Sequence, residues 1–113
     1  MMDDYFQLTE KMSWQDLGNG IKRQILGYDD TVMMVKVIFE KGAVGSLHHH
    51  PHVQTTYIES GVFEFFIDGR SQVLKKGDSC YVSSGAIHGC TCIEAGMLLD
   101  VFSPSRRDFL EGY

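Results

Sequence analysis

From Trp14 onward the chain is a succession of short apolar runs cut by turns rich in glycine and aspartate. Gly18-Asn19-Gly20 breaks the first pair of runs, and Tyr28-Asp29-Asp30 the next. Residues 31–39 are dense in Val, Ile and Met and stop at Lys41-Gly42, while 55–67 reads as two strands around Ser60-Gly61. Asp68-Gly69 is the strongest short hairpin signal, because both central positions of such a turn must accept positive φ. Lys76-Gly77-Asp78 and Ser84-Gly85 delimit another strand, and 97–102 forms the last long one. No long stretch carries a helical period. Short strands at this spacing predict an all-β barrel or sandwich. Residues 1–12 are expected to form an N-terminal arm, irregular or helical. Residues 103–113 form a C-terminal tail with a short helical turn over 105–110. No linker, repeat or low-complexity segment divides the chain, so a single domain over 1–113 is expected.

With 113 residues the chain supports one modest core. The net charge of -5 argues against nucleic acid or an anionic membrane as partner, and an anionic substrate would need a local cation. The start, Met1-Met2-Asp3-Asp4-Tyr5-Phe6, lacks the basic and apolar regions of a signal peptide. No run approaches the ~20 apolar residues of a membrane span. Three cysteines, an odd number clustered late, do not make a disulfide framework, which points to a reducing cytoplasm.

Chemistry concentrates between Gly42 and Gly61. Five residues separate Gly42 from His48, one separates His48 from His50, three precede Gln54 and six more precede Gly61. A later stretch answers it: five residues lie between Gly77 and Ser83, one before Gly85 and two before His88. Imidazoles at alternate strand positions point to one side of a sheet. His48, His50, Gln54 and His88 can therefore close around one divalent ion, with Zn, Ni, Fe, Mn and Cu all compatible with this donor set. The competing reading is a solvated cluster of histidines. His49, between two ligands, should point away to the surface or behind the ligands, and His52, after Pro51, is expected at the rim, with a fifth ligand or a proton carrier as the alternatives. Cys90 and Cys92 share parity with His88 and face inward, as packing residues or as thiols near a metal; Cys80 is expected in the core. Together the two spacings resemble the cupin superfamily. That resemblance implies a jelly-roll β-barrel (double-stranded β-helix), with Ser83 where the superfamily prefers Pro.

In 97–102, Leu98, Asp100 and Phe102 share one face, and Met97, Leu99 and Val101 the other. An Asp inside so apolar a strand is costly to bury without a partner or a task. Asp100 is either a carboxylate for proton transfer beside the metal or the partner of Arg106 in a structural ion pair. The segments His48 to Gln54, Gly77-Asp78, Ile87-His88-Gly89 and Asp100 to Arg106 together resemble the bacterial pectin-degradation cupins. That resemblance implies an enzyme that opens 4,5-unsaturated uronates, released from pectin or alginate, to linear keto sugars. The family's functional residues then fall on Asp100, Phe102 and Arg106. Val53 and the Pro-poor stretch 83–87 depart from the family at the rim. A carboxylate-binding or sensory cupin module and a cupin dioxygenase remain open; the lack of an attached DNA-binding segment favours the enzyme. By analogy with the superfamily a homodimer is expected, with Val35 and Val37 as exterior positions for its interface.

Overall fold

The structure is a computed structural model that describes residues 5–111. The start of the expected arm (1–4) and the last two residues of the tail lie outside the described residues. The strands are β1 (Gln15–Gly18), β2 (Ile21–Tyr28), β3 (Met33–Phe39), β4 (Val44–His48) and β5 (Val53–Ile58). They continue as β6 (Val62–Ile67), β7 (Arg70–Lys75), β8 (Ser79–Val82), β9 (His88–Glu94) and β10 (Gly96–Ser103). A 3-10 turn, Thr9–Lys11, precedes them and a one-turn helix α1, Arg107–Leu110, follows.

The strands make two antiparallel sheets, ordered β1-β2-β3-β10-β5-β8 and β4-β9-β6-β7. Their facing sides bury Met33, Val35, Phe39, Ile58, Phe63 and Leu98, with Phe39 and Phe63 edge to face at 5.2 Å. The Asp68-Gly69 turn forms as expected, with φ values of 46 and 78 joining β6 to β7. β3 corrects the expected dimer surface. Val35 and Val37 are 0% and 8% exposed and lie in the core, whereas the outward positions are Met34, Lys36 and Ile38. The run is apolar at nearly every position, so polarity alone does not reveal which parity faces out.

β2 is covered on both faces. Gln24 is fully buried on its outer side, where its amide donates to the carbonyls of Thr9 and Met12 and its oxygen accepts from the Thr9 hydroxyl. These bonds fasten the described part of the N-terminal arm. At the other end of the chain, the Ser105 hydroxyl donates to the Asp29 carbonyl, and its backbone N–H bonds Asp30 at 3.3 Å. The tail is thereby fastened to the turn between β2 and β3.

Candidate active site

Register brings the imidazoles together. His48, the last residue of β4, pairs directly with His88, the first of β9, and their rings stand 4.3 Å apart. Gly89 permits this approach: a Cβ there would lie 2.6 Å from the Gly45 carbonyl oxygen and 3.1 Å from the Leu47 nitrogen. His50 arrives differently from the sequence expectation. β4 ends at His48, so His50 sits in the following loop rather than at an alternate strand position. The loop is pinned to the 83–86 turn, where Gly85 N–H donates to the His50 carbonyl at 2.9 Å and the Ser84 hydroxyl to the Pro51 carbonyl at 2.6 Å. His50 is 6% exposed and its ring is 4.8 Å from that of His88.

In all three rings Nδ1 faces a backbone carbonyl: His48 to Ser46 at 2.8 Å, His50 to His52 at 3.0 Å and His88 to Ala86 at 2.9 Å. A carbonyl oxygen only accepts, so Nδ1 carries the proton and Nε2 offers a lone pair. Ligand nitrogens of His48, His50 and His88 lie within 4.8 Å of one another, a group that can hold a metal ion. His88 Nε2 is buried with no hydrogen-bond partner. An orphaned, unprotonated nitrogen of this kind is costly unless a ligand completes it. Burial, reinforced by the Arg106 charge, holds His50 below the ordinary imidazole pKa, and burial does the same at His88. Both rings are thus kept neutral, as metal ligation requires. The residues fit a divalent ion.

Gln54 projects from β5 to the same place, with Oε1 3.0 Å from His50 Nε2. Two donors bound to one ion at about 2.1 Å stand roughly 3.0–3.4 Å apart, so this spacing suits a shared metal. His49 is exposed and His52 half-buried, and neither belongs to the convergent group. Both lie along a second groove lined also by Pro51 and Ser105, and His52 Nδ1 is buried with no hydrogen-bond partner.

Asp100 is the register partner of Thr56, and Phe102 that of Gln54. The Thr56 hydroxyl donates to Asp100 Oδ1 at 2.5 Å, and Gln54 Nε2 donates to the same oxygen at 3.2 Å. Gln54 thus presents its oxygen to the imidazoles and its nitrogen to the carboxylate. Burial pushes the Asp100 pKa up to about 6, against the lowering effect of these bonds and of the Arg106 charge. Arg106 does not pair with Asp100. It makes a two-pronged bond to Asp108, from Nε at 3.0 Å and Nη2 at 2.8 Å, and lies over the rings of Phe102 and Phe109. Its Nη1 edge is left for another acceptor, since a guanidinium has five N–H groups and Asp108 takes two.

His48, His88, Gln54, Asp100, Phe102 and Arg106 line one cavity of about 250 Å³. Cys90 also lines it, but burial raises its thiol pKa to about 12, so it is neutral packing. Cys92 is buried and Cys80 partly buried against the core, both with raised pKa. Sequence reasoning missed Arg23 and Phe109, and had Gly89 only as part of the Ile87-His88-Gly89 segment, without its role in the close approach of β4. Arg23 could have been noticed as a charge sharing strand parity with Ile21 and Ile25. Phe109, in an aperiodic tail, left no such sign.

A family model described as a cupin domain matches residues 35–102, more than half of the chain. The sequence is 43% identical to the pectin degradation protein KdgF of Dickeya dadantii (strain 3937), over 96% of this chain and 100% of that one. Among solved structures, an RmlC-like cupin from Shewanella frigidimarina superposes with a TM-score of 0.92 at 42% identity, covering 94% of this chain and 96% of the other. KdgF from Halomonas sp. superposes at 0.90 with 34% identity, over 94% and 98% of the two chains.

Proposed function

We propose that this chain, which belongs to the cupin family, is a metal-dependent enzyme that opens 4,5-unsaturated uronates from pectin or alginate to linear keto sugars. The near-complete match to a pectin degradation protein supports the substrate class. The observation that carries the chemistry is the placement of Asp100. Its carboxylate is aimed into the cavity by Thr56 and Gln54 instead of being neutralised by Arg106.

His48, His50, His88 and Gln54 would hold one divalent ion: Zn, Ni, Fe or Mn. Bound there, such an ion supplies Lewis-acid polarisation of a sugar oxygen. The reaction is an isomerisation, so atoms balance within the sugar and one transferred proton. Asp100 accepts the proton of the anomeric hydroxyl as the anomeric carbon becomes a carbonyl and its bond to the ring oxygen breaks. The released electron pair leaves an enolate, and the Asp100 carboxyl returns the proton to carbon 4, which leaves a ketone at carbon 5. A carboxyl with its pKa raised to about 6 is suited to both halves of that transfer. Arg106 offers its Nη1 edge to the uronate carboxylate, and Phe102 packs the sugar. Apolar walls from Val37, Phe39, Phe65 and Leu98 exclude water around the polar groups.

Incubation of the metal-loaded protein with unsaturated galacturonate tests the reading. Loss of the conjugated-enol absorbance with a linear dicarbonyl product detected by NMR is expected; an unchanged spectrum at full metal occupancy would overturn it.

A further inference from the structure

Arg106 stands between two hollows. It lines the inner cavity with Asp100 and Phe102, and it also lines the second groove, beside His52 and Asp108. Asp108 borders the groove and not the inner cavity. The Arg106 side chain is 11% exposed and that of Asp108 56%. A local turn brings the two together: Phe109 N–H donates to the Arg106 carbonyl at 3.0 Å, which folds Asp108 back beside the guanidinium. Ser105, one residue earlier, fixes the start of this turn through its bonds to Asp29 and Asp30.

We propose that Asp108 is a positioning residue for Arg106: gripping it from the groove side, Asp108 fixes which edge of the guanidinium faces the cavity and so tunes recognition of a ligand carboxylate. The proposal rests on the reading that Arg106 receives the carboxylate of a sugar acid. Phe102 and Phe109 stand nearly perpendicular, at 87°, with the Arg106 Cζ 5.1 Å and 4.2 Å from their ring centres. Such contacts draw the cation to the rings without selecting one of its edges. Direction comes from Asp108, whose two oxygens take Nε at 3.0 Å and Nη2 at 2.8 Å in a planar grip. With Nε and one Nη2 hydrogen engaged, the Nη1–Nη2 edge keeps a fork that fits a carboxylate. An arginine set in place before the ligand arrives loses less rotamer freedom on binding. The two bonds also hold the Asp108 carboxyl below the ordinary carboxylate range, so it grips as an anion at neutral pH. The charge of Asp108 works in the opposite sense, since it offsets the pull of Arg106 on an anion. More than half of that carboxylate is exposed, however, and it lies outside the cavity, where water screens it. Orientation therefore outweighs neutralisation.

The test uses the whole metal-loaded chain and galacturonate, which lacks the reactive double bond, with its methyl ester as the uncharged counterpart. Binding is read by calorimetry, alongside kcat and KM for unsaturated galacturonate. Asp108→Ala is expected to weaken galacturonate binding and raise KM about three- to tenfold. Ester binding and metal content should match the wild type, with kcat within about twofold. Asp108→Asn keeps one acceptor oxygen and should fall between the two. In an Arg106→Ala background, Asp108→Ala should change nothing further, because the group it orients is gone. Equal losses in both backgrounds would make Asp108 a support of the tail and overturn the proposal. Unchanged affinity in Asp108→Ala overturns it as well, and so does tighter affinity, which would make Asp108 a neutraliser of Arg106. An Arg106→Ala chain that binds galacturonate as well as the wild type removes the premise and the proposal with it. Acid binding that depends on Asp108 without turnover of unsaturated galacturonate would defeat the ring-opening reading and leave this one standing. Normal turnover with an indifferent Asp108→Ala would do the reverse.

Discussion

The two ends of the cavity are held by different kinds of bond. At the imidazole end each ring is oriented by a backbone carbonyl two residues away in sequence: Ser46 for His48, His52 for His50 and Ala86 for His88. At the carboxylate end Asp100 is oriented by side chains 44 and 46 residues away, Thr56 and Gln54. The first arrangement is local and made by the main chain. The second depends on strand register and on side-chain identity. The imidazole end is therefore expected to tolerate side-chain changes around it, while the carboxylate end responds to changes in the side chains that orient it. Gln54 joins the two, with its amide oxygen toward His50 and its nitrogen on Asp100.

The comparison is broken most severely at the imidazoles themselves. His50→Ala removes a donor from a set of four, and metal affinity is expected to fall by more than about 100-fold, with turnover lost in proportion. Elemental analysis and circular dichroism should show a folded barrel without its ion; full occupancy would remove His50 from the site. Asp100→Asn keeps shape and metal but cannot carry a proton, so kcat should fall by about 100- to 10,000-fold. Arg106→Ala is expected to lower kcat/KM for uronates about 10- to 100-fold, as loss of a charge-assisted bond does, with Arg106→Lys restoring only part. Smaller again is Thr56→Val, which removes one donor from Asp100. A cost of about 1 kcal/mol in orientation corresponds to a several-fold loss of kcat at unchanged metal content. A Thr56→Val enzyme as impaired as Asp100→Asn would mean that the hydroxyl does more than orient the carboxylate.

The same contrast decides what could be read from the chain. The spacings from Gly42 through His48 and His50 to Gln54, and from Gly77 to His88, each lie within one continuous stretch of chain, so both halves of the imidazole end were legible without knowing any pairing. Asp100 was legible too, because one acid among apolar residues of equal parity stands out. Its partner was not: the candidate ion pair with Arg106 gave way to Asp108, two residues along, and to Thr56 across the sheet. Such choices are made by register, which parity does not contain. Val35 and Val37 were placed outside because β3 is apolar at nearly every position, and only packing against Phe63, Phe65 and Leu74 of the facing sheet shows which face is inward. His50 reached the predicted cluster from a loop, since Pro51 and the bonds to the 83–86 turn end the strand first. Arg23 shares parity with Ile21 and Ile25, but β2 is covered on both sides, so parity alone does not say which of its faces turns inward.

The central claim is that metal and carboxylate act as separate parts of one ring-opening device. Its most direct test measures turnover of unsaturated galacturonate by wild type and Asp100→Asn at matched, analytically verified metal content. The account expects the conjugated absorbance to disappear with the wild type and to persist with Asp100→Asn, although both hold the same ion. Equal rates for the two proteins would contradict it.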